Sequence, residues 1–414
     1  MTAELKSSVG QGHTPSGSGE KVQQPDPPNR TVCVVASIDN HAHLSDVYGS
    51  ALALTVRHIV HERANRLCNG AGDLVCVSEN RLLLILEIAH LGPHEVPSLQ
   101  QEGPLLERII TTLGNDPIES CDGLIFPVIS ARVVPLDDSP FDLDGQADAS
   151  TQTTQAWRRQ YATDMARTQD IFTALESGHL HLQYEPVCDV RNAANVLYDE
   201  ALLRKMVDGK WQSASEFFPA LERLGLVRRI DQWVVASVIE TLRINRVARL
   251  GCNVSARSAV IDGWWASILS ALAECPSMAA RLTIEITETA PLHDLESAKY
   301  FVRTLQSLGC QIALDDIGAG HSSAETLIAL CPDVAKIDRA YIRRARSDER
   351  GRNRLTQLIG FAGSCASHVV VEGIETDEDL RAARLSGATW VQGYRFCRTE
   401  PDKASSSNEC KRDF

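Results

Sequence analysis

The stretch His368-Val369-Val370-Val371-Glu372-Gly373-Ile374-Glu375 is a β-branched run of strand type that closes on a carboxylate. A charge inside so apolar a strand is expensive unless it binds something, so Glu372 is a candidate functional group. The same arrangement recurs on both sides of it. Strand-like runs at residues 181–187, 195–203, 251–255, 282–287, 311–315, 334–338, 368–372 and 390–396 alternate with helical stretches. This alternation predicts an α/β fold, a (β/α)8 barrel of the TIM type over residues 165–400.

Most of these strands carry a polar residue toward the C-terminal end: Glu200, Asn253, Glu285, Asp315 with Asp316, Lys336, Glu372 and Gln392. In a barrel, those ends converge on one mouth, where active sites of such folds lie. Carboxylates crowded there cannot all stay ionised without cations between them. Hard oxygen ligands select Mg2+ or Mn2+, and two such ions side by side are the device for phosphodiester hydrolysis. Each residue also has a plainer reading. Glu200 or Glu285 alone is a surface carboxylate, Asp315-Asp316 a turn or helix N-cap, and Lys336 with Asp338 a surface ion pair. The plainer readings must all hold at once on successive strands, which favours the joint one.

Composition narrows the classes further. With 414 residues, two domains are expected, and 43% apolar with 23% charged residues describes an ordinary globular protein. Lys and Arg number 41 against 54 Asp and Glu, a net charge of −13 that argues against a nucleic-acid polymer as partner. No apolar run is long enough for a bilayer span, so no membrane is expected. The twelve cysteines are scattered without a C-x-x-C pair, which fits reduced thiols and a cytoplasmic location. Residues 1–30 and 401–414 read as a disordered leader and tail. Residues 31–135 read as a smaller α/β unit, with one helix from Asp46 to Leu67 and a hairpin turning at Ser78-Glu79-Asn80-Arg81. Residues 136–164 read as a linker and connecting helix, and Trp157, Tyr161, Met165, Phe172 and Leu175 form an apolar stripe that continues past residue 164.

The second domain resembles the EAL domains, phosphodiesterases of the bacterial messenger cyclic di-GMP. Glu200-Ala201-Leu202-Leu203-Arg204 is the signature E-A-L-L-R, and Phe217 to Glu222 is similar to F-I-P-x-A-E. Asn253-Val254-Ser255, Glu285-Ile286-Thr287-Glu288, Asp315 to Ser323, Lys336-Ile337-Asp338, Glu372 to Thr376 and Gln392-Gly393-Tyr394 follow in the family's order. The resemblance implies that Glu200, Asn253, Glu285, Asp315, Asp316 and Glu372 bind two Mg2+ or Mn2+ ions, with Ca2+ inhibitory. It implies catalytic roles for Lys336, Glu372 and Glu200. It makes Arg204, Leu202, Glu185 and Gln392 substrate-binding and Glu288 and Glu375 loop-supporting residues. Cyclic di-GMP would yield linear pGpG, on a homodimer formed through this domain. Departures are Glu185 for the usual Gln, Lys205 for an aromatic residue, and Ile317, Ala319 and His321 for Phe, Thr and Tyr. They leave a second reading open, a silent EAL domain acting as a cyclic di-GMP receptor or a scaffold for a protein partner.

Residues 31–135 resemble a degenerate GGDEF domain, through Ser37-Ile38-Asp39-Asn40-His41 and Leu44 to Ser50. The signature glycines and acidic pair are missing from the Ser78–Leu83 hairpin, and of R-x-x-D at most Asp73 is kept. No cyclase activity is expected, and a structural or regulatory role is.

Overall fold

The computed structural model describes residues 30–68, 72–88, 98–135, 154–287, 294–318 and 324–396. The expected leader up to residue 29, the stretch 136–153, the tail, and the positions of Glu288, Ala319 and His321 lie outside them.

The first unit comprises β1 (Arg30–Ile38), α1 (His41–Tyr48), α2 (Ser50–Cys68), β2 (Gly72–Cys76), β3 (Arg81–Ile88), α3 (Ser98–Gly114), β4 (Ile118–Ser120), β5 (Gly123–Ile125) and β6 (Ile129–Val134). Its main sheet runs β2-β3-β1-β6, antiparallel throughout. Val56, Val60 and Ala64 of α2 and Ile109, Ile110 and Leu113 of α3 belong to one buried cluster with Val32, Val34, Leu84 and Leu86 of the sheet. The helix expected as one piece from Asp46 is two. Gly49, at φ 92°, breaks it in a conformation that side-chain-bearing residues rarely adopt. The hairpin turns at residues 78–80, where Val77 and Ser78 N–H donate to Arg81 O. Asn40 pins the end of β1: its amide donates to Phe126 O at 3.0 Å and accepts from Val128 N at 3.0 Å.

The expected connecting helix is α4 (Gln155–Glu176), and it runs across the boundary anticipated at residue 164. Tyr161, Met165 and Phe172 are buried along it, as the stripe requires. It is wedged between units rather than spacing them. Phe172 meets Phe126 of the first unit at 4.8 Å, while Asp164 takes a two-pronged ion pair from Arg223 of the second at 2.7 and 2.8 Å.

The second unit continues with β7 (Leu180–Asp189), β8 (Val196–Val207), β9 (Lys210–Ser213), α5 (Phe218–Leu224), α6 (Val227–Ile244), β10 (Leu250–Ser255), α7 (Ala266–Glu274), α8 (Pro276–Ala279) and β11 (Leu282–Thr287). It ends with α9 (Leu295–Ser307), β12 (Gln311–Ile317), α10 (Ala324–Leu330), β13 (Val334–Ile337), α11 (Arg339–Ser347), α12 (Glu349–Cys365), β14 (His368–Val371), α13 (Asp377–Leu385) and β15 (Trp390–Val391). Strands β10 to β15, β7 and β8 close into a barrel through the β10–β8 pairing. One feature corrects the plain (β/α)8 reading: β7 runs antiparallel to both β8 and β15. Only residues 190–195 separate β7 from β8, too few for the crossover that parallel neighbours need. The last strand is also shorter than the expected 390–396. It stops at Val391, and residues 394–396 form a 3-10 turn. Val187, Tyr198, Ala313, Val334 and Val370 cluster in the barrel interior.

A buried polar knot holds the end of β10. Asp231 on α6 accepts from Ser255 N–H at 3.0 Å and from the Ser258 hydroxyl at 2.6 Å, and Glu222 accepts from the Ser255 hydroxyl at 2.8 Å. Burial pushes the Asp231 carboxyl up to about 7, against the pull of the two serine donors. Folded Asp231 therefore stays protonated while the unfolded chain ionises from its ordinary 3.8 upward. Its contribution to stability is full below the unfolded value and is lost as pH rises toward the folded one. In EDTA, the stability advantage of the wild type over Asp231→Asn should shrink by up to about 4 kcal/mol between about pH 4 and about pH 8. Denaturation curves across that range check it; parallel pH profiles for the two proteins would refute it.

Candidate functional site

At the barrel mouth, the strand ends bring together the groups that the sequence spread over 193 positions, from Glu200 to Gln392. Lys336 on β13 is the hub. Its ammonium, on a side chain 1% exposed, lies 2.9 Å from Glu200, 2.6 Å from Glu285, 2.8 Å from Glu372 and 3.5 Å from Asp315. The surface-pair reading of Lys336 with Asp338 is thereby corrected. Asp338 instead caps α11, accepting from Ala340 N–H. Glu200 is held from two further sides, by the amide of Asn253 at 2.5 Å and that of Gln392 at 2.6 Å.

Asp315 and Asp316 form neither a turn nor a helix cap. Between the pairs Leu314↔Ala335 and Ile317↔Ile337, two residues of β12 oppose one of β13, a β-bulge. Asp316 takes the left-handed conformation, φ 54°, and its N–H donates to the Asp315 carboxylate at 2.9 Å. The bulge re-aims the strand end so that Asp315, Asp316 and Glu372 offer oxygens within 4.8 Å of one another, a grouping able to hold a metal ion.

The electrostatics show an unbalanced site. One ammonium stands among five carboxylates, and burial with mutual repulsion drives most of them away from ionisation. Burial and then Glu200 push Glu285 up to about 8; burial and then Asp315 push Asp316 up to about 6 and Glu372 well above its ordinary range. Asp315 is raised by burial as well. Glu200 is the exception. Burial works against its charge, but Lys336 and the two amides hold it below the usual carboxylate range. For Lys336, burial favours the neutral amine, and the surrounding carboxylates, Asp315 foremost, override that and hold it well above the usual lysine value. Two buried acceptors belonging to these residues, Asn253 Oδ1 and Glu285 Oε1, have no hydrogen-bond donor. Excess negative charge, oxygen-only donors and orphaned acceptors together fit hard divalent cations.

Leading away from the cluster, β7 and β8 form a ribbon whose register sets Glu185 opposite Glu200, Gln183 opposite Leu202 and His181 opposite Arg204. Directly opposed residues share a face. Arg204, Leu202 and Glu185 thus lie on the face that carries Glu200, and Arg204 Nε donates to Gln183 Oε1 at 2.7 Å. Glu375 does not join the group. It is exposed, with its carboxylate 3.5 Å from Arg343. Glu288 falls outside the described residues. Sequence reasoning passed over Gly251, where a Cβ would collide with the Glu285 carboxylate and the Tyr198 ring. A glycine inside an apolar strand was the available sign of close approach.

Comparison with known proteins agrees with this geometry. The family profile described as EAL domain matches residues 168–399. Cyclic di-GMP phosphodiesterase PdeF of Escherichia coli (strain K12) is 29% identical over 249 residues, 59% of this chain and 33% of PdeF. Cyclic di-GMP phosphodiesterase NbdA of Pseudomonas aeruginosa is 27% identical over 254 residues, 58% of this chain and 31% of NbdA. The chain therefore spans about a third of the length of these relatives. Among solved structures, the PaMucR phosphodiesterase in complex with c-di-GMP superposes with a TM-score of 0.51 at 26% identity, over 57% of this chain and 98% of that one. Vibrio cholerae LapD S helix-GGDEF-EAL (apo) gives a TM-score of 0.52 over 89% of each chain, at 16% identity a likeness of fold alone. The profile match extends over more than half of the sequence and includes every strand that delivers a carboxylate to the mouth, and on that ground the chain belongs to the EAL domain family.

Proposed function

We propose that this protein hydrolyses cyclic di-GMP to linear pGpG at the mouth of the barrel, using two Mg2+ or Mn2+ ions. The observation that carries the reading is the surplus of buried carboxylates around a single ammonium, with Asn253 Oδ1 and Glu285 Oε1 left without donors. Glu200, Asn253, Glu285, Asp315, Asp316 and Glu372 would hold the cations. Such ions supply Lewis acidity toward phosphoryl oxygen and make water acidic enough to act as a nucleophile at neutral pH. The reaction adds one water across one P–O bond, so the ring opens and no covalent enzyme intermediate is required. Lys336 would steady the negative charge on the phosphoryl oxygens, while Asn253 and Gln392 fix the Glu200 carboxylate in one orientation. Arg204 would grip the ligand's second phosphate, since a guanidinium fork suits paired oxygens. Leu202 and Glu185 would line the same ribbon face, with Glu185 bringing a charge where the family has an amide.

The first unit, on this reading, is a non-catalytic GGDEF-like domain. Its fold likeness to a GGDEF–EAL tandem supports the assignment, and the residues that approach nucleotide phosphates are missing from its hairpin. A homodimer through the barrel is part of the proposal. Ile328 on α10 and Phe361 on α12, 58% and 36% exposed, are apolar side chains that such a contact would cover, and sedimentation velocity tests for it. No described helix is long and apolar enough to cross a membrane. No disulfide joins any of the ten described cysteines.

Purified protein with Mn2+ or Mg2+ is expected to convert cyclic di-GMP to pGpG, and Ca2+ to stop it, because Ca2+ prefers longer bonds and looser geometry. Tight cyclic di-GMP binding with no pGpG in any metal would replace the enzyme by the receptor reading.

A further inference from the structure

The helix α6 presents two neighbouring faces, and each is tied to something different. On one face, Arg229 and Gln232 reach the first unit. Arg229 Nη2 donates to Asn115 O at 2.6 Å, and its guanidinium lies 4.1 Å from the Phe172 ring centre and 5.6 Å from that of Phe126. Gln232 Nε2 donates to Glu107 of α3 at 2.8 Å and also to Trp264 O, just before α7, at 3.1 Å. Glu107 also accepts from the backbone N–H and the hydroxyl of Ser267, at 2.9 and 2.8 Å, in the first turn of α7. Around this joint, α3 packs without gaps, since a Cβ on Gly103 would meet Ala266 and one on Gly263 would meet Leu106. On the other face, Asp231 holds Ser255 N–H and the Ser258 hydroxyl. Ser255 lies two residues beyond Asn253 on β10.

We propose that the first unit braces the divalent-cation site: by locking α6 through Glu107, Arg229 and Gln232, it sets the position of Asp231 and hence of the β10 end that carries Asn253. The proposal rests on the metal-binding reading above and goes beyond it, giving the first unit a defined mechanical part in the barrel's site. Arg229, Gln232, Glu107 and Asp231 are positioning residues, and none of them touches the cluster. A helix transmits the constraint because its turns are rigidly hydrogen-bonded, so a shift at residues 229 and 232 displaces residue 231 with them. An interface serving only to hold two units together has no reason to converge on the helix that pins a metal-binding strand. A guanidinium buried against two aromatic rings with one nitrogen, Nη1, left without a partner is costly to keep, and only the docked arrangement supplies its compensating contacts.

The test uses the full chain carrying Arg229→Ala with Gln232→Ala. Hydrogen–deuterium exchange of the 250–258 peptides should accelerate while that of 334–337 keeps wild-type protection. The Mn2+ affinity, read by the paramagnetic resonance signal of the free ion, should fall about tenfold, as for loss of outer partners of metal ligands. Unchanged exchange at 250–258 together with loosened 98–125 peptides would reduce the joint to simple attachment and overturn the proposal. Should the double variant be insoluble, Asp231→Ala, which removes the acceptor of both the Ser255 N–H and the Ser258 hydroxyl, acts from inside the barrel. It should reproduce the loss of Mn2+ affinity and leave 98–125 undisturbed, and wild-type affinity there would refute the brace. A wild-type protein that binds no Mn2+ sinks the metal reading instead, and the exchange comparison still decides the brace.

Discussion

Lys336→Met is expected to destabilise the metal-free protein by about 3–5 kcal/mol, the usual cost of removing one partner from a buried charge network. Lys336 is the only cation within 4 Å of Glu200, Glu285, Asp315 and Glu372 among the described residues, and its side chain is 1% exposed. Without it, the carboxylates have one recourse, which is to take up protons. Their folded pKa values, already raised for Glu285, Asp315 and Glu372, must climb further. A raised carboxyl pKa means stability that is full at low pH and lost as pH rises. The variant should therefore be nearest to wild type in mild acid and furthest from it above neutrality. Mn2+ should stabilise the variant more than the wild type, since the cation then replaces the missing positive charge. At a concentration about 100-fold above the dissociation constant, binding alone contributes about 2.7 kcal/mol. Urea midpoints in EDTA and in Mn2+ read both effects. A variant as stable as wild type in EDTA at neutral pH would show that the cluster is not held together by that ammonium.

How much of this arrangement the sequence discloses depends on the kind of interaction involved. The barrel was legible because each strand is an apolar run with a polar residue near one end, a pattern imposed by burial and readable from a few residues at a time. The reversed β7 was not, although the short 190–195 connection already forbids a crossover there. Residues such as Glu200, Asn253, Asp315 and Lys336 could be nominated because a charge or amide at an apolar strand's end is costly. Their mutual distances could not, since those depend on barrel closure. The bulge at Asp315-Asp316 was hidden for another reason: a two-against-one pairing is a property of β12 and β13 together, and neither strand alone encodes it. Glu375, expected as a loop-supporting residue, sits three residues past Glu372 and faces Arg343 outside the cluster, a direction that nearness in sequence does not disclose. The joint through Arg229 and Glu107 left no periodic trace at all. It pairs residues 107 with 232 and 115 with 229, and such separations are invisible to any local reading.

Asp315→Asn should move stability and activity in opposite directions. The substitution keeps the shape of the side chain and removes one negative charge from a group that has too many. Because burial and the Glu200 charge already raise the Asp315 carboxyl, a neutral isostere relieves that repulsion, and the metal-free protein should melt higher than wild type. Asp316→Asn should behave likewise, its carboxyl being pushed up to about 6. Turnover of cyclic di-GMP, by contrast, should drop by about 10²–10³-fold, the penalty typical of deleting one preorganised electrostatic partner of a transition state. An amide oxygen at this position is a weaker donor to a hard cation than a carboxylate, so saturating Mn2+ should recover only part of the loss. Melting in EDTA and kcat at saturating Mn2+ measure the two quantities on one preparation. A variant that melts higher and hydrolyses slowly identifies Asp315 as a ligand whose charge the fold tolerates for function. One that melts lower would mean the carboxylate is there to hold the bulge, and one that turns over at the wild-type rate would remove Asp315 from the metal site.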